Sequence, residues 1–264
     1  MAIMWTSGQA IYQNKYIIDE MLGEGGFGIT YRGKEKSSGK LVAIKTLNRK
    51  QQNKSNFSQE QVKFVNEALR LAKCSHPHIV QVYEVFEENG LWGMVMEYID
   101  GINLADYLED KGILPENEAL RIIREIGEAL TVVHQQGFLH RDVKPLNIML
   151  RRNNLEAVLI DFGLAREFVQ NQLKTHTNSF TENFAPIEQY QEKAERGAYT
   201  DVYSLAATLY AMLTLQPPCP AKYRKEANEP LIPPKKHNSK ISDRVNDGII
   251  KGMAVEAKDR PQTV

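Results

Sequence analysis

The periodicity of the chain changes at Gly101. Upstream, Tyr16 to Leu22, Ile29 to Lys34, Leu41 to Lys45, Ile79 to Phe86 and Leu91 to Ile99 read as strands of a small antiparallel sheet. One helix interrupts them. It begins near Ser58, where Ser58-x-x-Gln61 fits a capping box, and Val62, Val65, Leu69 and Ala72 then form one apolar stripe. Downstream the spacing is helical. Ile122, Ile126, Leu130 and Val133 share a face that ends near Gly137. Thr200 to Leu213 reads as a buried helix starting near Asp201, six prolines from Pro217 to Pro234 mark an irregular connection, and Ser242 can cap a last helix through about Gly252. Gly101 itself breaks an apolar run and is read as a hinge. Strands gathered before it and helices after it suit an α+β chain, and 264 residues can bury one large core or two lobes.

Bulk properties exclude several function classes. A hydrophobic share of 42% with 25% charged residues is ordinary for a globular protein and argues against disorder. Formal net charge is zero, so no bulk attraction to nucleic acid or to an anionic membrane is expected. Cys74 and Cys219 form no disulfide framework, which makes a reducing cytoplasm the expected location. No signal peptide is visible, and no apolar run approaches the roughly 20 residues that span a bilayer, so no membrane contact is expected of this segment.

The chemistry concentrates in His140-Arg141-Asp142-Val143-Lys144-Pro145-Leu146-Asn147, followed by Asp161-Phe162-Gly163. Asp142 is placed to receive a hydroxyl proton, with Lys144 beside it. Asn147 and Asp161 are placed to hold magnesium. One carboxylate cannot be both metal ligand and free base, so two Asp residues are needed. These parts suit phosphoryl transfer from a nucleotide to an alcohol. Upstream, Gly23-Glu24-Gly25-Gly26-Phe27-Gly28 is followed by Ile29, Thr30 and Tyr31, which favour a strand. The glycines therefore read as a hairpin tip whose backbone amides can close over phosphates, not as the strand-to-helix turn of a dinucleotide fold. Lys45 on an apolar strand needs a partner, and Glu67 is the candidate. His76 and His78 lack a third ligand at sensible spacing and read as loop residues.

Over about Tyr16 to Pro261 the chain resembles the Ser/Thr protein kinase family. The wording around Gly23 to Tyr31 and Ala185-Pro186-Ile187-Glu188-Gln189 is similar to eukaryotic-like kinases of bacteria, especially cyanobacteria. The resemblance implies a two-lobed kinase fold, with an N-lobe over about 12–99, a hinge at about 97–102 and a C-lobe over about 103–264 whose last helix is cut short near Val264. It implies ATP and Mg2+ as cofactors and Ser/Thr-bearing proteins as substrates. By resemblance, Gly23, Gly25 and Gly28 cover the phosphates, and Lys45, oriented by Glu67, grips the α- and β-phosphates. Met96 resembles the gatekeeper, backbone groups near Glu97 and Ile99 read adenine, and Ala43 and Met149 sandwich the ring under a roof that includes Thr30. Asn147 and Asp161 ligate magnesium, Asp142 handles the hydroxyl proton, and Lys144 stabilises the group in transfer. Glu188 pairs with Arg260, and Asp201 braces the catalytic-loop backbone. Leu71, Val82, Phe162 and His140 match a stacked hydrophobic spine.

Regulation is also implied. Arg141, Arg166 and Lys63 match positions that gather around a phosphate on the activation loop, for which Thr175, Thr177 and Ser179 are the candidate acceptors, Thr177 favoured. Autophosphorylation through a transient dimer is expected. Asn103, Leu146 and Ala211 stand where basophilic relatives place acids, so no strong demand for a substrate Arg upstream of the acceptor is expected. The competing readings are a nucleotide-binding pseudokinase and a small-molecule phosphotransferase. The first usually lacks one of Lys45, Glu67, Asp142, Asn147 and Asp161; the second need not carry the Ala185–Glu188 segment.

Overall fold

Side chains along Gly28–Glu35 alternate between buried and more exposed positions, the signature of a half-buried strand, and the stretch is one. The computed structural model describes residues 2–161, 182–191 and 193–264. The chain divides into two compact units, Met1–His76 with Val80–Asp100, and Pro77–Ile79 with Gly101–Val264.

The first unit holds β1 (Ala10–Ile11), β2 (Tyr16–Glu24), β3 (Gly28–Glu35), β4 (Leu41–Leu47), β5 (Val82–Glu88) and β6 (Leu91–Glu97). They form a six-stranded sheet in the order β1-β2-β3-β4-β6-β5, antiparallel throughout. Two helices, α1 (Arg49–Gln52) and α2 (Phe57–Lys73), separate β4 from β5 along the chain, and α2 packs on β5 and β6. The unit reaches further upstream than residue 12. Trp5 is buried and its ring centroid lies 5.7 Å from those of Phe86 and Tyr31.

Two expectations for α2 fail. Its buried face is Phe64, Glu67, Ala68 and Leu71, whereas Val62 and Leu69 are 60% and 53% exposed. Helical spacing fits both stripes, and only packing against the sheet chooses between them. The Ser58–Gln61 capping box does not form. The helix starts after Asn56, and Gln61 instead accepts from Trp92 N at 3.0 Å and donates to Gly90 O at 3.1 Å. A tertiary partner on the β5–β6 hairpin outcompetes the local one.

The second unit begins with β7 (Gly101–Asn103), which pairs with β8 (Ile148–Arg151), and β8 pairs with β9 (Ala157–Leu159). Gly101 is therefore a strand residue. The run does break here, since the second unit resumes at Gly101, and glycine also answers a close backbone approach, because a Cβ would stand 2.0 Å from Leu150 O. Asn103 caps α3 (Leu104–Lys111) by accepting from Asp106 N at 3.0 Å. The helix α4 (Glu116–Gln135) buries Ile122, Ile126, Leu130 and Val133, and Gly137 at φ +74° follows its end. It packs against α5 (Ala198–Thr214), in which every residue from Thr200 to Thr214 except Ala206 is buried. The proline-rich connection is more ordered than expected, with two short helices, α6 (Ala221–Glu226) and α7 (Pro234–His237). Ser242 caps α8 (Asp243–Gly252), which packs on α5. No described helix is long and apolar enough to cross a membrane.

Candidate active site

In the first unit, the β3–β4 and β4–β6 registers place Lys45 opposite Thr30 on one side and Met94 on the other, and Ala43 opposite Met96. Lys45 Nζ lies 3.4 Å from Glu67 Oε1, both side chains largely buried. A buried ammonium is tolerated where a carboxylate faces it. Glu67 sits on the buried face of α2, which is why the helix can present it to the sheet. The glycine-rich turn closes by Gly25 N donating to Gly28 O at 2.8 Å. Gly28 lies so close to β4 that a Cβ would meet Thr46 O at 2.6 Å, whereas a Cβ at Gly23 or Gly26 would meet nothing within 4 Å. Met96 and Ile99 are buried, and Glu97 donates its amide to Gln81 O at 2.8 Å.

In the second unit, the β8–β9 register sets Asn147 beside the residue that precedes Asp161. Ile160 N donates to Asn147 O at 2.9 Å, so Asp161 follows directly from the residue bonded to Asn147. Asn147 Nδ2 donates to the Asp142 backbone oxygen and to Asp142 Oδ2, both at 2.8 Å, and Lys144 Nζ lies 2.8 Å from the same Oδ2. Two donors thus fix one oxygen of the Asp142 carboxylate. Met149 is the second residue of β8, opposite Asn103 and Val158.

The loop that carries Asp142 is held from below. Asp201, fully buried at the start of α5, accepts from His140 N at 2.9 Å and Arg141 N at 2.7 Å. Arg141 has φ +66° and Asp161 φ +54°, a region that costs a non-glycine residue roughly 1–3 kcal/mol and needs outside support. Arg141 has that support on both sides of its residue, because Gln189 Nε2 donates to its carbonyl at 2.7 Å. His140 is fully buried. Its Nδ1 accepts from Asp142 N at 3.3 Å and its Nε2 faces Ile160 O at 3.2 Å, the pattern of a neutral ring with the proton on Nε2. Burial lowers its pKa below the ordinary value, and the opposing pull of Asp201, Asp142 and Asp161 is weaker.

Two contributors were not foreseen in the sequence. His134 Nε2 lies 2.8 Å from Asp201 Oδ2, and Gln189 reaches the loop that carries Asp142 from a segment 48 residues downstream. Neither leaves a local signal. Among the proposed phosphate-gathering cations, Lys63 lies 3.2 Å from the buried Glu60. Arg166, Thr175, Thr177, Ser179 and the spine residue Phe162 lie outside the described residues.

A metal fits this donor set on one condition. Among the described residues no group of three His, Cys, Asp or Glu could hold an ion by itself. The pair Asn147 and Asp161 offers hard oxygen ligands, since Asn147 commits its Nδ2 to Asp142 and keeps its amide oxygen for another partner. Mg2+ is the ion that is held by one or two carboxylates together with substrate phosphates. His78, with Nδ1 2.8 Å from Ala157 O, serves the backbone.

Glu188, behind this loop, is held by Arg260 at 2.7 and 3.0 Å, and it also accepts from Thr200 Oγ1 at 3.0 Å.

Over residues 16–263 the chain matches the family described as "Protein kinase domain". It is 33% identical over 262 residues to a "Probable serine/threonine-protein kinase" of Clostridium perfringens, covering 96% of this chain and 37% of that protein. It is 33% identical over 267 residues to the serine/threonine-protein kinase PknB of Mycolicibacterium smegmatis, covering 95% of this chain and 41% of that protein. The chain thus spans about two fifths of the length of these relatives. Among solved structures, it superposes on the apo form of PpkA-294 with a TM-score of 0.81 at 29% identity, over 98% of this chain and 96% of that one. It superposes on the Mycobacterium tuberculosis PknI kinase domain with a TM-score of 0.75 at 26% identity, over 98% and 95% of the two chains.

Proposed function

The chain belongs to the protein kinase family, and we propose that it transfers the γ-phosphoryl group of ATP to Ser and Thr hydroxyls of protein substrates. The observation that carries this reading is the convergence of Asn147 Nδ2 and Lys144 Nζ on Asp142 Oδ2. Phosphoryl transfer asks a protein for positioning and charge neutralisation more than for covalent help. Asp142, oriented by these donors, accepts the proton of the acceptor hydroxyl. Lys144 stands close enough to the same carboxylate to offset negative charge on the transferring group. In the first unit, Lys45 and Glu67 bind and orient the α- and β-phosphates, and Gly23, Gly25 and Gly28 cover them. In the same unit, adenine is read by backbone groups near Glu97 and Ile99, with Ala43, Thr30 and Met96 lining its site. Asn147 and Asp161 would hold Mg2+, which supplies neutralisation of phosphate charge.

The finer assignments belong to the same proposal. The Gly23–Tyr31 wording favours the cyanobacterial-like subgroup. The first lobe takes in Trp5, and the connection between lobes falls at Asp100–Gly101. The domain acts in the reducing cytoplasm, consistent with two free cysteines. It phosphorylates its own Thr177 region through a transient dimer.

The test is incubation with labelled ATP, Mg2+ and a generic basic protein. Wild type should label the protein and itself. Asp142→Asn and Lys45→Met should each reduce labelling at least a hundredfold with an unchanged circular dichroism spectrum. ATP binding without any transfer by wild type would instead establish a pseudokinase.

A further inference from the structure

The four-residue helix α1 has no role in the reading above, yet its side chains are committed to the glycine-rich turn. Asn48, its N-cap, is buried and donates Nδ2 to Gly25 O at 2.7 Å. Gln51, also buried, donates Nε2 to Gly26 O at 3.1 Å. The backbone of Asn48 adds a third bond, N to Phe27 O at 3.1 Å. Three successive carbonyls at the apex of the turn are therefore taken from one side. The Gln51 amide keeps this bond although its Oε1 is buried without a partner among the described residues. An unsatisfied buried acceptor is unfavourable, so the fold retains this arrangement against a local cost.

The consequence follows from peptide geometry. A trans peptide is planar, and its C=O and the following N–H point in opposite directions. Drawing the Gly25 and Gly26 carbonyls toward α1 turns the amides of Gly26 and Phe27 away from it. No hydrogen bond among the described residues uses those two amides. Two adjacent amides aimed the same way on an exposed turn form an anion-binding concavity.

We infer that Asn48 and Gln51 are positioning residues that hold the glycine-rich turn by its carbonyls and so aim its amides at the nucleotide phosphates. The inference rests on the kinase reading for the identity of the anion, but not for the tether itself. Asn48 has a second duty, because its Oδ1 caps α1 by accepting from Gln51 N at 3.0 Å. Asp at an N-cap serves as well as Asn. Asn48→Asp therefore keeps the cap and removes only the donor to Gly25, leaving a carboxylate oxygen against that carbonyl. Gln51→Met keeps the volume and removes the other donor.

The full chain and both variants are compared in three measurements. Thermal unfolding is the control for a folded chain: both variants should keep one cooperative transition, lowered in Asn48→Asp, where a buried carboxylate oxygen faces the Gly25 carbonyl. Hydrogen exchange at the Gly25 amide, which bonds Gly28 O, should accelerate in both variants. Calorimetric affinity for ATP with Mg2+ should fall about three- to tenfold for each lost bond, with adenosine affinity unchanged. Unchanged exchange together with unchanged ATP affinity in both variants overturns the inference, as does an equal loss for ATP and adenosine. A wild-type chain that binds neither ligand overturns the kinase reading and the phosphate half of the inference, while the exchange rates still decide whether the tether exists.

Discussion

Arg260 grips Glu188 with two parallel hydrogen bonds, Nη1 to Oε1 at 2.7 Å and Nη2 to Oε2 at 3.0 Å, in a place where both side chains are buried. The guanidinium is further satisfied by the carbonyls of Tyr199, Ala254 and Val255. Such a pair owes its stability to completeness, and losing one partner strands the other charge. Arg260→Ala should destabilise the second unit by about 3–5 kcal/mol. Arg260→Lys should recover only part of this, because an ammonium cannot reproduce the planar fork. Urea unfolding of the three proteins measures both effects. A loss below about 1 kcal/mol in Arg260→Ala would contradict the role given to the pair.

Asp201 supplies the acceptor for two successive catalytic-loop amides, His140 N and Arg141 N. Asp201→Ala leaves the buried His140 amide without this acceptor, at about 1–3 kcal/mol, and the part-buried Arg141 amide likewise at a smaller cost. The strained Arg141 backbone then loses one of its two supports. The expected result is a fall in kcat of at least tenfold, since Asp142 follows directly, with the KM for ATP changed less because the glycine-rich turn belongs to the other unit. Steady-state kinetics at saturating protein substrate would show it. An unchanged kcat would mean that the loop holds its geometry without Asp201.

Legibility in the sequence depended on distance along the chain. The run from His140 to Asn147 was readable because transfer chemistry demands fixed residue types at fixed local spacing, and the loop does bring Asp142, Lys144 and Asn147 together. Lys45 and Glu67 were matched because a Lys on an apolar strand must find a carboxylate, and the two are adjacent. Where two local patterns fitted equally well, the sequence could not choose. Val62, Val65 and Leu69 space a helix face as well as Phe64, Ala68 and Leu71 do, and only the sheet decides. Gly101 does stand where the chain passes from one unit to the other, but its letter could not show that it also opens a strand in close contact with Leu150 O. Gln61, His134 and Gln189 have tertiary partners 31, 67 and 48 residues away, and nothing near them in sequence announces it.

Gly28 and Gly26 should respond differently to the same added methyl group. At Gly28 the new Cβ would stand 2.6 Å from Thr46 O, a backbone atom that cannot swing aside, so β3 and β4 must part. At Gly26 it would meet nothing within 4 Å. Gly28→Ala should cost about 1–3 kcal/mol of stability and disturb Lys45, whose Cε lies 3.5 Å from the same Cβ position. Gly26→Ala should leave the melting temperature where it is. Differential scanning calorimetry of the two variants separates them. Equal melting temperatures would show that the β3–β4 contact can relax.

His140 gives stability a pH dependence whose sign follows from its environment. Burial holds its pKa below the ordinary 6.5 in the folded chain, and both ring nitrogens are matched to the neutral form. Above about pH 6.5 the ring is neutral in both folded and unfolded chains, and pH has no effect through it. Below that value the unfolded chain binds a proton that the folded chain refuses. Stability is therefore full at neutral pH and declines as pH falls from about 6.5 toward the folded pKa, by at most about 1.4 kcal/mol per pH unit. Other groups titrate over the same interval, so the measurement is a difference. Urea unfolding at pH 7.5 and 5.5 is compared for wild type and His140→Phe, which fills the space and cannot titrate. The variant starts less stable, having lost the bonds to Asp142 N and Ile160 O, but it should lose less between the two pH values. Parallel losses would mean that His140 is protonated in the folded chain as readily as in the unfolded one.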